Sequence, residues 1–121
     1  MPKVTELNVS WREIEALSRD IADYRINYGE DALQFGELRL PETTGPHPVI
    51  VFIHGGCWLN QFNLDHVSAI SRGLANQGYA VWTPEYRRVG DAGGGWRGTF
   101  EDIVRSIGVL SVSIRLNSIV L

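Results

Sequence analysis

Five consecutive apolar residues, Val49-Ile50-Val51-Phe52-Ile53, run directly into His54-Gly55-Gly56-Cys57-Trp58. Strand side chains alternate between the two faces of a sheet, so a run that is apolar at every position is hidden on both faces. Such a strand belongs in a mostly parallel sheet with helices packed on either side. The glycine pair that follows asks for a sharp turn at the strand's C-terminal end. The expected fold class is therefore α/β, in three layers.

The flanking residues fit that frame. Ser10-Trp11-Arg12-Glu13 has the pattern of a capping box, and Ile14, Leu17, Ser18 and Ile21 follow at helical spacing, which predicts a helix over 11–22. Tyr24 to Tyr28 and Phe35 to Leu40 alternate apolar and polar around Gly29-Glu30-Asp31, as two short antiparallel strands at the sheet edge would. Asp65 is placed to cap a helix carrying Val67, Ile70, Leu74 and Ala75, with Gly78 past its end. Tyr79 to Pro84 reads as the next strand, closing a right-handed βαβ unit. After the glycine-rich stretch Gly90 to Gly98, Thr99-Phe100-Glu101-Asp102 looks like a second capping box, opening a helix with Ile103, Val104 and Ile107. Beyond Arg105 the alternation of Val112, Ile114 and Leu116 with polar residues predicts strand or irregular chain. The organisation expected is a single domain over 1–121: a helical segment over 1–21, a core over 22–105 and an atypical tail over 106–121.

Charge and composition remove several functions from consideration. A net charge of −3 offers no basic footprint for nucleic acid. No apolar stretch approaches the roughly 20 residues that span a bilayer, and the residues from Met1 to Ser10 carry no apolar leader. Cys57 is the single cysteine, so no internal disulfide forms, and a reducing, cytoplasmic setting is expected. His47, His54 and His66 lack metal-ligand spacing with carboxylates or Cys57, so no metal site is expected. Gly93-Gly94-Gly95-Trp96-Arg97-Gly98 matches Gly-x-Gly-x-x-Gly in form only. It does not follow its strand directly, and no acid comes after Asp102.

The chemistry lies in the His-Gly-Gly turn. Acyl transfer puts negative charge on a carbonyl oxygen, and two preset backbone N–H groups can stabilise it; losing one donor costs about 10²–10³ in rate. Gly56 and Cys57 are the expected donors, His54 and Gly55 support the loop, and Trp58 is a candidate wall for an acyl pocket. An ordinary glycine turn is the bland alternative. Cys57 as a nucleophile would need a nearby base, and a small packing residue is the expected role. Asp65 and His66 read as helix cap and helix surface. A nucleophilic serine would stand in Gly-x-Ser-x-Gly at a strand-to-helix turn. The partial matches around Ser71 and Ser106 both fall inside expected helices, so no catalytic serine, acid or histidine is assigned.

These residues resemble the N-terminal half of small α/β-hydrolase esterases, the group that includes lipase-like carboxylesterases and kynurenine formamidase-like enzymes. The likeness is carried by His54-Gly55-Gly56-Cys57-Trp58, by Tyr79 to Arg88, by Gly93-Gly94-Gly95-Trp96 and by Thr99-Phe100-Glu101-Asp102, with Tyr28-Gly29 and Leu38 to Pro41 upstream. The resemblance implies a partial α/β-hydrolase fold: a mostly parallel sheet, an antiparallel N-terminal edge and an incomplete αβα sandwich. It also implies hydrolysis of a carboxylic ester or small amide through an acyl-serine, without a cofactor. Glu85-Tyr86-Arg87 is read as loop packing. On this view strand Tyr79–Pro84 is left as an exposed edge, and the chain is inactive alone, by truncation or a frameshift near Ser106. The alternatives are a non-catalytic binding module, or a subunit completed by a partner chain or a second copy.

Overall fold

The computed structural model describes residues 9–113. Four strands form one sheet in the order β1-β2-β4-β3: β1 (Tyr24–Asn27), β2 (Phe35–Arg39), β3 (Val49–Val51) and β4 (Ala80–Pro84). β1 and β2 pair antiparallel, β2 and β4 pair antiparallel, and β3 runs parallel to β4. The α/β class and the antiparallel N-terminal edge are as the sequence implied; among the described strands the sheet is mixed, with one parallel pairing.

Strand parity sorts the two faces. Leu38, Val49, Ala80 and Trp82 point to one side and enclose a core with Leu110 of helix α3 (Gly98–Ser113). Thr83 points to the other side, where its hydroxyl meets Ser71 of helix α2 (Ser68–Asn76) at 3.1 Å. Helix α1 (Trp11–Glu15) lies outside this sandwich. No helix among the described residues is long and apolar enough to cross a membrane.

Five expectations are corrected. The exposed edge is β3, and β4 is central: the chain returns through α2 and inserts β4 between β2 and β3. Helix α1 stops at Glu15, short of residue 22, although its capping box forms with Ser10 Oγ and the Glu13 carboxylate. Tertiary contacts take over there. Asp20 accepts from Arg39 Nε at 2.8 Å and Arg72 Nε at 3.0 Å, and its N–H donates to Ser68 Oγ. Asp65 is not a cap: the side chain of Asn63 caps a short 3-10 turn, Leu64–Val67, ahead of α2. Asp102 does not close a capping box with Thr99; its carboxylate accepts from Arg87 and Gln34. Residues 106–113 continue α3 instead of forming strand or irregular chain, because Thr99, Asp102, Ser106 and Leu110 form one buried helical face. The rest of the expected tail, 114–121, lies outside the described residues.

Candidate active site

The loop after β3 has an uncommon backbone. Gly56, Cys57 and Trp58 are consecutive residues with φ of 123°, 54° and 60°. Non-glycine residues rarely occupy this region, and such strain clusters at functional sites. Gly56 is doubly constrained, because a Cβ there would lie 2.6 Å from Phe62 Cβ. At Gly55 a Cβ would meet nothing within 4 Å. Among the described residues, the N–H groups of Gly56 and Cys57 find no acceptor.

His54 anchors the loop. Its Nε2 lies 2.7 Å from Glu85 Oε1 and its Nδ1 lies 2.9 Å from the Gly55 carbonyl oxygen. The ring stacks on Tyr86 at 4.5 Å, and the Tyr86 hydroxyl donates to the His54 carbonyl at 2.6 Å. A ring tied at both nitrogens braces the turn. Glu85 also accepts from the N–H groups of Leu64 and Tyr86, so one buried carboxylate joins β4, the loop and the 3-10 turn. Reading Glu85 as loop packing missed its direct bond to His54.

Burial sets the remaining titrations. Desolvation raises the Tyr86 hydroxyl to about 12, with the Glu85 charge adding to it. Tyr28, which donates to the Glu85 carbonyl, is raised by burial and by the Asp102 and Glu85 charges. His66, whose ring is 5.6 Å from that of His54, is held below its usual value by burial and then by His54.

Beyond the turn the chain is zipped to the segment after β4. The N–H of Val89 donates to Trp58, and that of Asn60 donates to Val89. The Trp58 ring stands edge-on to Phe100 at 4.9 Å. Cys57 is exposed, so it is not the buried packing residue the sequence suggested. Ser71 and Ser106 are fully buried within α2 and α3, and Ser106 Oγ donates to the Ile103 carbonyl. His47 is spent on the Thr43 carbonyl.

The fold that carries this turn is shared with known proteins. A family model described as BD-FAE matches residues 37–111. The chain belongs to the BD-FAE family. This is an esterase-like family of α/β-hydrolases, and residues 37–111 hold the end of β2, all of β3 and β4, and the loop. Among solved structures, inhibited esterase B from Lactobacillus rhamnosis is 27% identical with a TM-score of 0.66, over 91% of this chain and 37% of that one. A second structure of esterase B, from strain HN001, is 28% identical with a TM-score of 0.62, over 84% and 34%. A bifunctional GH43-CE protein of Bacteroides eggerthii shares the fold at 23% identity and a TM-score of 0.64, over 84% of this chain and 15% of that one. The chain thus spans roughly a third of the length of esterase B. No curated protein matches it.

Proposed function

We propose that this chain carries the oxyanion-stabilising part of a serine hydrolase acting on carboxylic esters or small amides. The observation that carries the reading is the run of left-handed residues Gly56-Cys57-Trp58 after β3, with two N–H groups unengaged among the described residues. The two N–H groups would donate to the developing oxyanion of a tetrahedral intermediate, and the His54–Glu85 bond would hold them in place beforehand. Preset donors need no reorganisation during the reaction, and this is their catalytic value.

The attacking serine, its acid and its histidine are proposed to lie outside the described residues. Ser71 and Ser106, held inside helices, do not offer an exposed nucleophile. One observation favours a second reading: β3 has no strand partner on its outer side among the described residues. A partner chain or second copy could complete the sheet there, and the chain would then be a subunit or a binding module.

Sequencing the coding DNA beyond the codon for Leu121, read in all three frames, tests the proposal. A Gly-x-Ser-x-Gly segment at a strand-to-helix turn, followed by an acid and a histidine, is the expected result. Its absence from every frame would refute the one-chain hydrolase and leave the completed subunit.

A further inference from the structure

We infer that Trp11, on the N-terminal helix, walls the acyl pocket beside the oxyanion-stabilising amides and limits the length of acyl chain that fits. This rests on the oxyanion reading of Gly56 and Cys57. A cavity of about 350 Å³ is lined by Trp11, Gly56, Cys57, Leu59 and Phe62. It opens beside the two candidate donors, and its wall is aromatic, aliphatic or backbone except for one thiol. An acyl chain whose carbonyl oxygen sat on those donors would extend into this apolar space.

Three contacts set the wall. Phe62 lies so close to Gly56 that no Cβ fits between them. Trp11 meets Phe62 edge-on, with centroids 5.5 Å apart, and also contacts His66 at 5.1 Å. Glycine, phenyl ring and indole thus follow one another outward from the donors. Helix α1 is held over this site from downstream. Arg19 pairs with Asp65 at 3.1 Å, and Asp20 is clamped by the fully buried Arg39. Trp11 falls outside the residues 37–111 that match the family model, so this wall is an addition upstream of the matched region.

Amide and indole NMR of the ¹⁵N-labelled chain, titrated with sodium acetate, butyrate, hexanoate and octanoate, tests the assignment. A carboxylate oxygen stands in for the oxyanion. The expected result is that the Trp11 indole and the Gly56 and Cys57 amides shift together on one saturation curve. Trp11→Ala is expected to raise affinity for octanoate relative to butyrate by roughly tenfold, and Trp11→Phe to stay near the original preference. Trp11 is 43% exposed, so the alanine variant keeps the core, and its amide spectrum reports the fold directly. Loop amides that respond while the indole and the chain-length preference do not would overturn the wall and leave the oxyanion reading standing. Silent Gly56 and Cys57 amides would overturn both.

Discussion

His54 Nε2 and Glu85 Oε1 are 2.7 Å apart, both side chains buried, at the C-terminal ends of two neighbouring parallel strands. The same carboxylate accepts backbone N–H groups from Leu64 and Tyr86. Removing it leaves a buried imidazole and two amides without acceptors. Glu85→Ala is therefore expected to cost ~3–5 kcal/mol, and Glu85→Gln about 1–3 kcal/mol. Urea unfolding of the three chains measures both. A loss below ~1 kcal/mol for the alanine variant would show that the bond does not brace the loop.

Adjacent glycines should respond in opposite ways. Gly56 has a φ of 123° and Phe62 against it, so Gly56→Ala is expected to lower stability by ~1–3 kcal/mol. Gly55 has open space around its Cα, and Gly55→Ala should change stability by less than ~0.5 kcal/mol. Thermal melts compare them. Equal losses would contradict the positive φ and the Phe62 contact at Gly56.

His66 gives the fold an acid limb. Burial, then the neighbouring His54, holds its ring below the usual 6.5, so the folded chain refuses a proton that the unfolded chain accepts. Its contribution is complete above the unfolded value and is lost as pH falls below it. Asp102, which burial raises but the bonds from Arg87 and Gln34 together lower more, acts only at lower pH, below the ordinary carboxylate value of 3.8. Between about pH 7.5 and about pH 5.5, the urea midpoint should fall further in the original chain than in His66→Gln. Identical slopes would remove His66 as the cause.

Much of the fold was legible because apolar periodicity carries it. Val49–Ile53 was expected to be a strand buried on both faces; β3 forms and pairs parallel with β4, but it ends at Val51, only Val49 is buried, and Ile53 is 44% exposed. The extension of α3 was hidden because its buried face is Thr99, Asp102, Ser106 and Leu110, so the helical period runs largely through polar residues. The end of α1 was hidden because Asp20 answers to Arg39 and Arg72, which lie 19 and 52 residues away. His54 was legible as the loop's support; its partner Glu85, read as loop packing, was not. A signal did exist. Continuing the register of Val51 opposite Trp82 past the strand ends brings His54 opposite Glu85. An acid directly after an apolar strand, level with a histidine after its neighbour, marks such a pair.

The central claim is that Gly56 and Cys57 present their N–H groups to an anion. Titrating the ¹⁵N-labelled chain with methylphosphonate, a tetrahedral anion shaped like the intermediate, tests it most directly. The account predicts that these two amide signals move downfield together and saturate, and that Gly56→Pro, with only one donor left, loses the response at Cys57 as well. Static Gly56 and Cys57 signals, with shifts elsewhere or nowhere, would contradict it.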